Sequence, residues 1–160
     1  MLTVKWFMGE KDDLSDAYAI RREVFCGEQN CPEDEEFDGS DDSCVHLVMY
    51  EDEKPVATGR VLIGDDYFKI GRVATLKTHR GIGLGKSIVQ TLIGACVAMG
   101  GHRQIIHAQT VAQGFYEKLG FVAFGDEFDE AGIPHIAMEH FGGAKTCGSS
   151  HCGGCAKGRE

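Results

Sequence analysis

A mixed α/β fold, with a mostly antiparallel sheet flanked by helices, is what this sequence predicts. Three observations lead there. Short runs of alternating apolar and polar residues fill the first half of the chain with hairpin-length gaps between them, which implies antiparallel pairing. One strand instead feeds a glycine-rich loop and a long amphipathic helix before the next strand, a connection that needs a parallel crossover. Finally, 160 residues with 42% apolar and 26% charged side chains suit one domain that buries a core without staples.

Leu2, Val4 and Trp6 alternate with Thr3 and Lys5, so a half-buried strand is expected at the start. Beyond GEKDD, Leu14, Ala17, Ile20 and Val24 repeat at helical spacing, with Asp13 or Ser15 as caps. Seven of the ten residues over 33–42 are acidic. A solvated loop is the plainer expectation, an attractor of protonated amines the sharper one. Residues 44–50 and 56–63 read as strands joined by the turn Glu51-Asp52-Glu53-Lys54, and Gly59 marks a bulge or a close backbone approach. Gly64-Asp65-Asp66 turns the chain into a strand over 67–75.

The next helix shows its apolar face as Ile88, Leu92, Cys96 and Met99, widened by Val89 and Ala95, with Gly100-Gly101 as its stop. A strand over 104–108 follows, then a helical face of Val111, Ala112, Phe115, Tyr116 and Leu119 closed by Gly120. The remainder reads as a strand over 121–124, an acidic loop over 125–132 and a last strand over 135–141. Residues 1–141 form the expected domain and 142–160 a Gly- and Cys-rich tail.

The loop before the long helix has the makings of an anion site. Gly81, Gly83 and Gly85 let the backbone take positive φ and approach a ligand closely, and the first helical turn offers N–H groups without intrahelical partners. Arg80 and Lys86 add full charges, so a diphosphate is the natural occupant. The dinucleotide fingerprint fails, because the glycines run G-x-G-x-G after the polar TLKTH segment and Arg80. The P-loop agrees at Gly85-Lys86-Ser87 but has Arg80 where its first glycine belongs, which sets aside a nucleotide hydrolase.

A net charge of -9 argues against nucleic-acid or anionic-membrane partners and leaves cationic small molecules or peptides open. No apolar run approaches the ~18 residues of a membrane span, and the start MLTVKWFMGEKDD has no leader-like apolar core, so the expected location is cytoplasmic. Seven cysteines demand no disulfide framework, and Cys96 on an apolar helix face is simplest as a small buried hydrophobe. In the tail, Cys147, His151, Cys152 and Cys155 have a C-x-x-C spacing that could hold zinc. All lie within nine residues rather than in two separated pairs, so a reactive-thiol tail is preferred to a metal site.

Arg80, Gly83 and Gly85 fill the Arg/Gln-x-x-Gly-x-Gly/Ala pattern of the coenzyme A loop in the GNAT superfamily of N-acetyltransferases, which this stretch resembles. Residues 114–121, GFYEKLGF, are similar to that superfamily's later F-Y-x-x-x-G-F segment. The early run IRREVF with Glu28-Gln29, and the late run GIPHI with Met138, resemble its ElaA-like branch. The resemblance implies a GNAT fold and acetyl-coenzyme A as co-substrate, held by Arg80, Gly81, Ile82, Gly83, Leu84, Gly85 and Lys86. It also implies that the backbone of Val73, Ala74 and Thr75 runs beside the pantetheine arm, where strand N–H groups can face the thioester carbonyl. Each well-aimed donor to a developing oxyanion is worth ~2.7–4 kcal/mol.

The implied acceptor is a primary amine, small-molecule or peptide. Deprotonating an alkyl amine of pKa ~10.4 at neutral pH costs about 4.6 kcal/mol, so a base or a water-linked proton path is needed. His107 is the first choice, because its strand should line the cleft opposite Ala74. His46, His135 and Glu28 are the other candidates on the acceptor side, whose wall in this superfamily is the first helix and the loop after it. Tyr116 matches the tyrosine that protonates the departing thiolate. Gln109 stands where many members carry Asn as a cofactor contact. No Cys/His pair argues for a covalent acyl-enzyme, so direct transfer is expected. A non-catalytic acyl-coenzyme A binding or sensing module is the alternative, and exposed strand edges leave room for a homodimer.

Overall fold

Among the described residues seven strands form, and all seven join one sheet in the order β1-β2-β3-β4-β5-β7-β6. They are β1 (Leu2–Met8), β2 (Cys44–Glu51), β3 (Lys54–Ile63), β4 (Phe68–Thr75), β5 (Arg103–Gln109), β6 (Val122–Glu130) and β7 (Ile133–Phe141). The helices are α1 (Ser15–Arg21), α2 (Glu33–Glu36), α3 (Leu84–Ala98) and α4 (Gln113–Lys118). This computed structural model describes residues 1–142, so Cys147, His151, Cys152 and Cys155 lie outside the described residues. Among the described residues only β4 and β5 pair in parallel, across α3, as the crossover requires.

On one side α3 lays Ile88, Val89, Leu92 and Cys96 against Leu47, Val61, Ile70, Ile106 and Met138. Burying an aliphatic side chain of this size contributes roughly 1.5–3 kcal/mol. A Cβ at Gly59 would meet Leu92 Cδ1 at 2.7 Å and Ile88 Cγ2 at 3.0 Å, so the missing side chain lets α3 touch the sheet. The β3-β4 register also shifts between Thr58 and Arg60, so Gly59 marks a bulge and a close approach together. The other side is covered by Ala17 and Ile20 of α1 and by Val24 just beyond it, packed on Val48, Tyr50 and Ala74.

Five details depart from the sequence reading. The first strand is exposed rather than half-buried: Leu2, Val4, Trp6 and Met8 are each at least 42% exposed, because α3 does not reach the sheet's edge. The acidic stretch over 125–132 is mostly strand, with β6 running on to Glu130 across a register shift and turning at Ala131-Gly132. Met99 and Val111 leave their apolar faces, since α3 ends at Ala98 and the turn Thr110–Ala112 is 3-10. Beyond Arg21 the helix widens into a π-helical turn, Arg22–Glu28. Neither proposed side chain caps α1 across its first turn, although Asp13 accepts a hydrogen bond from the Ser15 N–H at 2.9 Å.

The feature that positions the site is a fork in the sheet. Only Phe68, Lys69 and Ile70 pair with β5. Beyond them β4 stays with β3 as far as Thr75, while β5 stays with β7 as far as Gln109. At the parting point Arg72 has φ 51°, a left-handed conformation uncommon for a residue with a Cβ. Its guanidinium is anchored from α2, donating to the Glu36 carbonyl at 3.1 Å and ion-pairing with the Glu36 carboxylate at 3.1 Å.

Candidate active site

The fork opens into a cleft of about 1050 Å³ that runs from the glycine loop to the turn between β6 and β7. At the loop end, Gly81 and Gly83 have φ 85° and 88° with open space where a Cβ would stand. The conformation, not crowding, requires glycine there. No side chain caps the N-terminus of α3, so its first N–H groups remain available, and Lys86 stands exposed beside them with no carboxylate within 4 Å among the described residues. Val73, Ala74 and Thr75 line the cleft along the β4 edge that β5 has left. These groups fit a diphosphate joined to an extended arm.

Arg80 lines the same end but is occupied. It donates from Nε to the Thr75 carbonyl at 2.9 Å and pairs with the Glu28 carboxylate at 2.8 Å. Gln109 donates to the Gln29 side chain at 2.8 Å. Two adjacent residues at the end of the π-helical turn, Glu28 and Gln29, therefore reach opposite walls of the cleft.

Tyr116, on α4, lines the cleft while only 8% exposed, edge-on to Phe115 and Phe121. Burial pushes its phenol up to about 12, so it holds its proton at neutral pH. Across the fork, His107 lies 3.1 Å from the Glu130 carboxylate and edge-on to Phe128. The His107 contact holds the Glu130 carboxyl below the usual range. His135, buried, stacks on Phe128 and places Nδ1 2.7 Å from the Ile133 carbonyl.

The structure does not bring every expected residue here. Ile82 is 66% exposed and outside the cleft lining, so its side chain cannot help hold a ligand there. Glu28 is also absent from the lining, being tied to Arg80. His46 is 1% exposed and sits 3.1 Å from the Asp41 carbonyl, buried under the acceptor wall rather than facing it. Burial lowers its pKa and keeps the imidazole neutral.

The acidic run is neither simply solvated nor free to attract amines. Arg21, 1% exposed, pairs with Glu36 at 2.7 Å and Asp41 at 2.8 Å. Arg60 pairs with the same Asp41 oxygen at 2.7 Å, and Arg72 also lies 3.7 Å from Asp38. Among the lining residues that the sequence reading did not single out are Glu130 and Lys69. Glu130 was hidden by reading its strand as a loop, although Phe128-x-Glu130 before Ala131-Gly132 has the spacing of a strand entering a turn. Lys69 had no signal beyond its position in β4.

Solved acyltransferases share this architecture. An acyl-CoA N-acyltransferase from Pseudomonas aeruginosa superposes with a TM-score of 0.80 at 29% identity, covering 88% of this chain and 99% of that one. Escherichia coli ElaA superposes at 0.78 with 27% identity, covering 88% and 99%. Residues 12–140 match the acetyltransferase (GNAT) domain, and the chain belongs to that family. It is 42% identical over 129 residues to the uncharacterized N-acetyltransferase YjcF of Bacillus subtilis (strain 168), covering 80% of this chain and 92% of the relative. It is 32% identical over 134 residues to protein ElaA of Escherichia coli (strain K12), covering 78% and 87%. The protein is an acyltransferase, and its family implies an acyl-coenzyme A donor. Among the described residues no cluster could hold a metal ion, and no helix is long and apolar enough to cross a membrane.

Proposed function

We propose that this protein moves an acetyl group from acetyl-coenzyme A directly to a primary amine. The observation that carries the reading is the β4 edge freed beyond Ile70, running from an uncapped helix N-terminus toward His107. The amides around Gly83 to Lys86 and the Lys86 ammonium hold the diphosphate, and N–H groups of residues 73–75 face the thioester carbonyl. The amine nitrogen bonds to the carbonyl carbon as the carbon–sulfur bond breaks. His107, oriented by Glu130, takes the proton the amine loses, and Tyr116 gives its own to the departing thiolate. The cytoplasmic location and homodimer expected from the sequence belong to the same reading, the latter supported by the exposed apolar residues of β1.

Tyr116→Phe tests this directly. Turnover, followed by thiol release against a panel of amines, should fall by ~10²-fold or more, in line with loss of a general acid. Calorimetric affinity for coenzyme A should stay within about twofold, because the phenol oxygen is not part of the anion site. Unchanged turnover in the variant, or coenzyme binding with no acetylation of any amine by the parent protein, would overturn the assignment.

A further inference from the structure

Cations line the cleft, and each of its arginines, together with His107, has a carboxylate at contact distance. Arg60 is held by Asp41, Arg72 by Glu36, Arg80 by Glu28, and His107 stands against Glu130. Among the lysines and arginines that line the cleft, only Lys69 and Lys86 have no carboxylate within 4 Å among the described residues. Lys86 stands at the diphosphate end. Lys69 stands at the other end, half-buried on β4 opposite Ile105, on the same face of the sheet as His107 and one residue before the last pair of the ladder. Glu130, Arg60, Arg72 and Asp38 surround it at longer range, and burial pushes its ammonium down from the usual lysine range. A partly desolvated cation without a counter-ion is an incomplete pair.

We propose that Lys69 is a specificity-determining residue that binds an anionic group on the acceptor, so that the favoured acceptors are amines that also carry a carboxylate. The inference rests on the acyl-transfer reading above and deepens it. It replaces the reading of the acidic run over 33–42 as an attractor of protonated amines, since Glu36, Asp38 and Asp41 already face arginines. A carboxylate drawn to Lys69 sets its amine on the His107 face of the fork, toward the β4 edge where the acyl group would lie.

The test is a set of matched acceptors: amino acids with amino groups at the α or ω position, each beside its own carboxamide, together with spermidine and phosphoethanolamine. The parent protein should favour at least one carboxylate over its amide by roughly tenfold or more in kcat/KM, as expected for loss of a charge-assisted hydrogen bond. Lys69→Gln should erase that ratio through KM while keeping kcat for the amide, and Lys69→Arg should restore part of it. Preference for spermidine or the amides, or a ratio unchanged in Lys69→Gln, would overturn the proposal. A preference for phosphoethanolamine over every carboxylate would overturn the carboxylate assignment in favour of a phosphate. Equilibrium binding of each carboxylate and amide to coenzyme A-saturated protein provides a readout independent of turnover. If no amine is acetylated the acyl-transfer reading fails, while Lys69 stands or falls on whether Lys69→Gln removes carboxylate binding.

Discussion

Asp41 shows how much a single carboxylate can hold in place. One of its oxygens accepts from Arg21 at 2.8 Å and Arg60 at 2.7 Å, and its backbone carbonyl faces His46 at 3.1 Å. Burial pushes its carboxyl up, but the two guanidinium groups outweigh that and hold it below the usual range. That depressed pKa means its contribution is present above the ordinary aspartate range and is lost as pH falls through the folded value. Asp41→Asn keeps the shape and removes the charge, leaving Arg21 buried with only Glu36. Urea unfolding should show a loss of about 3–5 kcal/mol, the usual penalty for breaking a buried pair from one side. This role was not legible in the sequence, because the partners of Asp41 lie 19 and 20 residues away and nothing local distinguishes it from exposed Asp42. His46 was misplaced for the same reason: the element that covers it is the acidic segment expected to be solvated.

Elements built on periodicity were easier to read. The apolar stripe of α3 and the largely apolar runs of β2 and β3, which are buried on both faces, are displayed directly by the sequence. What failed depends on neighbours. β1 has the alternation of a half-buried strand, yet no helix covers it; β6 looks like a loop because an edge strand can carry charge on its open side. The π-helical turn after α1 has no period that marks it. Gly59 was legible as special, and the structure supplies the reason in Leu92 and Ile88. Gly59→Ala should lift α3 from the sheet and cost about 1–3 kcal/mol, as overpacking does, measured as a lower midpoint in chemical denaturation. A variant as stable as the parent would mean that this contact is loose.

At the scale of the molecule, Glu28 and Gln29 join the two sides of the fork, one reaching Arg80 and the other Gln109. A diphosphate entering at Arg80 competes with the Glu28 carboxylate. Glu28→Gln should therefore tighten coenzyme A binding by roughly two- to fivefold in calorimetry, the size of a partly exposed ion pair, and the gain should shrink in high salt. Weaker binding would show that the glutamate supports the ligand instead. The fork has a mechanical consequence as well. With only Phe68, Lys69 and Ile70 stitching β4 to β5, that ladder is the seam where the sheet has least backbone to resist being pulled apart. Cohesion across it falls to the side chains under α3, so pulling the chain by its ends should find the first give along this line, and deuterium uptake by its ladder amides should be faster than in the neighbouring ladders.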